Sequence, residues 1–308
     1  MGDIIHCLPI IADIHVHYSH AVIDWVAEES FVDILRLHPQ INEVVPVAIR
    51  RWRKTIFTKQ TWLEIKAAKR QLSEKKYDVV LDTQGLIKSG VLTCLSSGHK
   101  HGYNKSSARE PLASCFYNTT HPVSRAQHAV ARIRALAALA LGYPIPKHLP
   151  NYGIQALAPS GLTLDKPYVV GLHGTSRDSK LWPTAHWITL GNELAKLKIH
   201  LILPWASNAE FQRAQHIAKT LTNATVLPKL GIAQLATVIS QAKAAIGVDT
   251  GLSHLSVALS IPTVAIYTDT NPALTGVYAG AYAPAVNLGN INETPSPQLV
   301  VDALKKIL

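Results

Sequence analysis

The feature that most constrains this chain is its alternation of short apolar segments with stretches of helical periodicity. Strands are expected at Val22–Ala27, Glu43–Ile49, Asp78–Asp82, Tyr168–His173, His200–Pro204, Ala244–Val248 and Thr263–Tyr267. Helices are expected between them at Thr61–Glu74, Gln127–Leu141, Thr184–Leu197, Ala209–Leu221 and Ile232–Lys243. A segment such as Asp78-Val79-Val80-Leu81-Asp82, apolar between polar ends, reads as a strand buried on both faces, as in a parallel sheet covered by helices. The alternation therefore predicts an α/β chain with open parallel sheets.

Single cores stop growing near roughly 250–300 residues, so a chain of 308 has room for two domains. The stretch Gly142–Lys166 holds Pro144, Pro146, Pro150 and Pro159, with Pro167 just beyond. Proline at that density stops helices and marks a linker. It divides the chain into residues 1–155 and 156–295, followed by a terminal helix that Ser296 caps and Pro297 opens. Residues 3–14 suit a helix with Asp3 at its start. A doubly wound domain normally places a strand before that helix, so either the first sheet is one strand short or the sequence begins late.

Composition narrows the partners. Cys7, Cys94 and Cys115 lack metal-ligand spacing and are too few for a disulfide framework, which points to a reducing compartment. No apolar run reaches the roughly 18–20 residues needed to span a bilayer, and the start does not read as a signal peptide, so a cytoplasmic protein is expected. The net charge of +10 calls for an anionic partner: nucleic acid, a membrane surface or a phosphorylated substrate.

In open α/β sheets ligands bind at the carboxyl ends of strands. At Asp249-Thr250-Gly251-Leu252-Ser253-His254 a strand runs into a helix through a glycine. Backbone N–H groups and the helix dipole there favour a phosphate, with Thr250, Ser253 and His254 as further donors. A capped helix with a core histidine fits the same spacing. After Tyr168–His173 comes Gly174-Thr175-Ser176-Arg177-Asp178-Ser179-Lys180, a second anion cradle in which Lys180 can neutralise a leaving diphosphate. Glu210 can accept from a ribose hydroxyl or an adenine amine, or serve as an ordinary helix-start acid.

The first half carries Arg50-Arg51-Trp52-Arg53-Lys54 after a strand, a local anion site without a recognisable nucleic-acid fold. Gln84 and Lys88 lie at another strand end, and His99, Lys100, His101, Lys105 and Arg109 add positive potential nearby in sequence. Asp3 at a helix start is an N-cap or, facing an acceptor hydroxyl, a general base. Zinc sets, Walker loops, Gly-x-Ser-x-Gly elbows, Gly-x-Gly-x-x-Gly fingerprints and Asp-x-Asp pairs are all missing, so charge stabilisation is expected from Lys, His and helix ends instead of a metal.

These residues resemble the bacterial lipopolysaccharide heptosyltransferases, glycosyltransferase family 9. The matching segments are Met1–Asp3, Pro46–Lys54, Asp82–Ser89, Ala108–Ser114, His173–Pro183, Leu203–Trp205, Leu227–Lys229 and Val248–His254, in order over essentially the whole chain. The basic Arg50–Lys54 run favours members that add the first heptose over later-acting ones. The resemblance implies a GT-B fold, two Rossmann-like domains facing across a cleft, with an N-terminal acceptor domain and a C-terminal donor domain. It implies ADP-heptose as donor, a Kdo-bearing lipid A core as acceptor, and inverting transfer without metal or cofactor. By the same resemblance, Asp3 is the base and Lys180 steadies the departing ADP. Thr175, Ser176, Lys180, Glu210, Asp249, Thr250, Gly251 and His254 hold the donor. Arg50, Arg51, Arg53, Lys54, Gln84, Lys88 and Arg109 meet the acceptor. The location implied is peripheral, at the cytoplasmic face of the inner membrane of a Gram-negative bacterium, with no nucleic-acid partner. The terminal helix 296–308 is expected to cross back onto the N-terminal domain.

Two departures stand out. Family members carry a strand and a Lys/Ser-bearing loop before the Met-Gly-Asp, and the family's Gly-Pro-Thr-Asp-Pro is here Thr268-Asp269-Thr270-Asn271-Pro272. Two other readings fit the same residues. One is a different GT-B nucleotide-sugar enzyme, a later-acting heptosyltransferase or an epimerase. The other is a remnant that binds but does not turn over.

Overall fold

The computed structural model describes residues 1–156, 161–164 and 167–308. The chain divides into two compact units: Met1–Ile5 with His148–Leu308, and His6–Lys147. Pro144, Pro146 and Pro150 lie in non-helical chain around that division, while Pro159 and Lys166 of the expected linker lie outside the described residues.

Within His6–Lys147 the strands form two parallel groups. β1 (Ile23–Glu28) pairs with β2 (Ile41–Val47), and β3 (Lys76–Leu81) pairs with β4 (Ser97–Tyr103), which pairs with β5 (Thr119–His121). The expectation that Asp78–Asp82 is buried on both faces fails: only Asp82 is buried, because β3 lies at the edge of its sheet. Central β4, Ser-Gly-His-Lys-His-Gly-Tyr, has almost no apolar content and was not foreseen as a strand. Gly102 and Gly98 explain its position. The Tyr117 ring and the Tyr77 carbonyl approach so closely that a Cβ at either glycine would collide. The expected helix over residues 3–14 is interrupted at Leu8–Pro9, giving Gly2–Cys7 and Pro9–His17, since Pro9 has no N–H to continue the ladder. The second of these is tied to helix Ala129–Leu141 by a buried bidentate pair, Arg134 donating to both Asp13 oxygens at 2.7 Å.

The other unit holds one parallel sheet in the order β11-β10-β9-β6-β7-β8. Its strands are β6 (Tyr168–Leu172), β7 (His200–Leu203), β8 (Ala224–Val226), β9 (Ala244–Val248), β10 (Thr263–Tyr267) and β11 (Ala285–Gly289). Every residue of β6, β9 and β10 is buried, as neighbours on both sides and helices on the faces require. Trp182, Trp187, Leu190, Leu194, Val300 and Leu304 fill the core on one face. The terminal helix Pro297–Ile307, capped by Ser296 as predicted, belongs to this core and packs on Thr184–Lys196, β10 and β11. Its apolar stripe, Val300, Val301 and Leu304, is buried in that core. From β6 the chain order runs to β7 and β8 on one side and to β9, β10 and β11 on the other, so the order reverses between β6 and β9. A crevice at the carboxyl ends of those two strands is where such a sheet takes a ligand.

Candidate functional site

Both predicted phosphate-binding segments leave the sheet at that reversal point. Asp249 follows β9, and the segment Gly174–Lys180 follows β6 and the buried His173. Side chains fasten the two together. Lys180 Nζ donates to Asp249 Oδ2 at 2.5 Å, with both side chains about seven-eighths covered (13% and 14% exposed). Thr270 Oγ1 donates to the same oxygen at 2.8 Å, and Thr175 Oγ1 donates to the Asp249 carbonyl at 2.8 Å. One strand further out, Thr268 Oγ1 donates to the Ser179 carbonyl at 2.8 Å, and Ser179 Oγ donates to Asp269 at 2.6 Å. Three successive strand ends thus share one hydrogen-bonded cluster holding a largely buried ammonium. Sequence reasoning noted Thr268–Pro272 only as a departure from a family pattern. Its place at the end of the strand beside β9 is the signal that could have found it.

Helix Gly251–Ala258 opens at Thr250, whose side chain makes no cap bond to the helix. Ser253, expected as a ligand donor, is instead buried and donates to the Val248 carbonyl at 2.7 Å. His254 is buried as well, at 7% exposure. The chain's first residues reach this helix: a Cβ on Gly2 would sit 3.3 Å from His254 Cδ2, and the Met1 side chain lies directly over Gly251. Asp3 follows at once, exposed, in the first turn of Gly2–Cys7. Ser176 is exposed on its loop.

Glu210 serves as the helix-start acid. Its Oε2 accepts from the N–H groups of Ala206 and Ser207 at 2.7 and 3.0 Å, completing a capping box with Ser207. Its other oxygen lies so close to Gly174 that a side chain there would have to displace the carboxylate. His173 stands behind the same turn. Burial pushes its imidazole down to about 4; Arg213 acts in the same sense, and Glu210 and the Pro204 carbonyl oppose.

In the other unit the basic run forms the short helix Ile49–Trp52 and the turn after it. Arg51 is tied down between Glu29 (3.0 Å) and Glu64 (2.9 Å), and the hydrogen bonds it donates to these carboxylates raise its pKa further. The Arg50 guanidinium lies over the Phe31 ring, 5.5 Å from its centre. Arg53 and Lys54 are exposed. At the end of β3, Asp82 accepts from the N–H groups of Gln84 (2.8 Å) and Gly85 (3.3 Å), from Ser89 Oγ (2.7 Å) and from Tyr117 OH (2.6 Å). Gly85 has φ +65°, and its Cα faces the Arg109 backbone. Gln84, Lys88 and Arg109 are exposed around this one turn. His101, one of the histidines expected to add positive potential here, pairs with His121 instead. His101 Nδ1 lies 3.0 Å from His121 Nε2, and burial pushes both imidazoles below their ordinary range.

Among the described residues no helix is long and apolar enough to cross a membrane. The profile of glycosyltransferase family 9 (heptosyltransferase) matches residues 65–307. Lipopolysaccharide heptosyltransferase 1 of Escherichia coli K12 is 42% identical over 313 residues, spanning 100% of this chain and 97% of that protein. The protein of the same name from Pseudomonas aeruginosa is 43% identical over 279 residues, covering 90% of this chain and 79% of its own length. The solved structure of E. coli heptosyltransferase WaaC with ADP superposes with a TM-score of 0.91 at 40% identity, covering 100% of this chain and 97% of that one. E. coli ADP-heptose heptosyltransferase II, at 22% identity and a TM-score of 0.76, shares the fold. The chain belongs to glycosyltransferase family 9, the heptosyltransferases, and is a glycosyltransferase of the GT-B fold.

Proposed function

We propose that the chain transfers L-glycero-D-manno-heptose from ADP-heptose to the Kdo of Kdo2-lipid A, with inversion at the anomeric carbon, at the cytoplasmic face of the inner membrane. The observation that carries this reading is the Lys180–Asp249–Thr270–Thr175 cluster at the strand-order reversal of the His148–Leu308 unit. It is supported by relatives about 40% identical over nearly their full length, among them an enzyme solved with ADP and with ADP-2-deoxy-2-fluoro heptose.

In the proposed step the acceptor hydroxyl oxygen attacks the anomeric carbon, the carbon–oxygen bond to the diphosphate breaks, and the hydroxyl proton passes to the Asp3 carboxylate. ADP leaves with the bonding pair. Its added charge meets the Lys180 ammonium, which Asp249 and Thr270 hold ready, and the helix N-terminus at Thr250–Gly251, where the dipole favours an anion. Thr175, Ser176, Glu210 and His254 border the donor. Arg50, Arg53, Lys54, Gln84, Lys88 and Arg109 meet acceptor phosphates and carboxylates, and Arg51 braces the loop that carries the first three. The positive charge comes from side chains and a helix end, so no metal is assigned a role.

The test is ADP release on incubation with ADP-heptose and Kdo2-lipid A, in the presence of a chelator. Turnover is expected. Binding of ADP without release under those conditions overturns the proposal.

A further inference from the structure

Four exposed apolar side chains of the His6–Lys147 unit fall within eight residues of one another. Phe57 is 99% exposed, and Trp62, Leu63 and Ile56 are 51%, 52% and 37% exposed. A Phe ring held almost wholly in water is unfavourable, so a segment that keeps it there needs a reason. The backbone leaves it little choice. Thr58 N donates to the Thr55 carbonyl at 3.0 Å, and Thr58 Oγ1 donates to the same carbonyl at 2.9 Å. Thr55 Oγ1 and Thr61 Oγ1 lie 2.8 Å apart, and Thr58 caps helix Lys59–Glu74 by accepting from Thr61 N. Three threonines therefore close a tight turn with Ile56 and Phe57 at its tip.

The helix that follows divides cleanly. Thr61, Ala68 and Leu72 are its buried stripe. Lys59, Trp62, Leu63, Lys66 and Arg70, three or four residues apart, share the opposite, exposed face. The one acid between Lys59 and Arg70, Glu64, is turned away and taken up by Arg51 and the Trp52 indole N–H (2.9 and 2.8 Å). From Lys59 to Arg70 the face is thus apolar and cationic, and its carboxylate, Glu74, stands at the far end of the helix from the Phe57 turn. A protein partner of matching shape would need acids around an apolar socket. A bilayer carrying anionic lipid offers both properties anywhere on its surface: an apolar layer beneath the headgroups for Phe57, Trp62 and Leu63, and negative charge for Lys59 and Lys66.

We propose that the Phe57 turn and the outer face of helix Lys59–Glu74 dock this protein on an anionic bilayer, with the Phe57 ring inserted below the headgroups. The turn follows directly on Arg53 and Lys54, so docking would bring those cations to the headgroup level. This deepens the acceptor reading above, yet its test needs neither acceptor nor turnover.

The experiment is sedimentation of the full chain with phosphatidylglycerol-containing vesicles and, in parallel, with phosphatidylcholine vesicles. Wild type is expected to bind the former and not the latter, with binding weakened by salt. The triple variant Phe57→Ser, Trp62→Ser, Leu63→Ser is expected to lose at least about tenfold in affinity. Lys59→Gln with Lys66→Gln should lose about tenfold or more and show a shallower salt dependence. All five positions are exposed, so an unchanged thermal midpoint verifies that the variants fold. Wild type that stays in solution, equal binding to both vesicle types, or a triple variant that binds like wild type each overturns the proposal. ADP release measured separately can succeed or fail independently of these results.

Discussion

Asp249 and Asp82 each follow directly on the last residue of a strand, β9 and β3, and each is followed by a threonine and, within three residues, a glycine. Their partners differ. Asp82 takes two backbone N–H groups on one oxygen and two hydroxyls on the other, so its acceptor capacity is filled by neutral donors that shape a turn. Asp249 holds an ammonium and one hydroxyl, so it stores a cation that a more negative ligand can draw away. The sheets differ in parallel with this. β9 lies between β6 and β10 and is wholly buried, while β3 is an edge strand whose residues are partly exposed. A carboxylate at a strand end is therefore not a functional signal in itself. What it holds decides whether it shapes a loop or presents charge.

The sharpest way to break that contrast is at Lys180. Lys180→Ala is expected to lower the rate of ADP release by roughly 10²–10³, the scale of losing one preorganised charge at a developing anion. Its thermal midpoint should move little, because Asp249 keeps Thr270 and is not fully enclosed. Asp3→Asn should fall in the same range or beyond it, roughly 10²–10⁴, with ADP affinity by calorimetry little changed. If Lys180→Ala instead unfolds the protein while sparing turnover, the cluster is a strut like Asp82.

The converse holds at Asp82. Asp82→Ala leaves two N–H groups and the Tyr117 hydroxyl without their acceptor at a buried site, while Ser89 keeps the Leu86 carbonyl, and is expected to cost about 3 kcal/mol in urea-midpoint measurements. ADP affinity should not change. A variant of normal stability with weakened ADP binding would contradict the assignment.

Each unit holds a buried histidine that burial pushes down to about 4 from 6.5, His173 in one and His38 in the other. Between those values the unfolded chain binds a proton that the folded chain does not. Stability is therefore complete above 6.5 and falls as pH drops through the window. Going from 6.5 to about 5 should cost about 2 kcal/mol for each histidine. Melting curves across that range check it. His173→Asn should flatten the dependence in its own unit only, and an unchanged slope would sink the assignment.

The two units were not equally legible. Ala244–Val248 and Thr263–Tyr267 were located to the residue, because strands buried on both faces must be apolar throughout. Central β4 escaped, because its place between β3 and β5 is made possible by small residues under aromatic rings, not by hydrophobicity. At the site, strand-to-helix junctions pointed to Thr175, Lys180, Asp249 and Thr250. They left Glu210 open between a ligand contact and a helix-start acid, and did not reveal that Ser253 turns inward or that Thr270 joins the cluster. Those outcomes depend on which neighbour reaches a side chain first, and that is settled by tertiary packing between strands far apart in sequence.

The smallest effect tests the contrast within a single run of cations. Arg51 is committed to Glu29 and Glu64, as Asp82 is to its donors, whereas Arg53 and Lys54 are exposed and form no ion pair among the described residues, which leaves their charge available. Arg53→Ala and Lys54→Ala should each raise KM for the lipid acceptor by about fivefold, the scale of one cation at an anionic headgroup, with kcat and thermal midpoint held. Arg51→Ala should lower the thermal midpoint slightly, because exposed ion pairs contribute little, and raise KM only as far as the turn loosens. The two effects separate in salt. A charge that meets the acceptor directly loses its advantage as ionic strength rises, so Arg53→Ala and wild type should converge at high salt. A bracing residue acts through geometry, so the Arg51→Ala deficit should persist there. Convergence of Arg51→Ala with wild type would mean that all the cations of the run work alike, and that the ion pairs to Glu29 and Glu64 give way when the acceptor arrives.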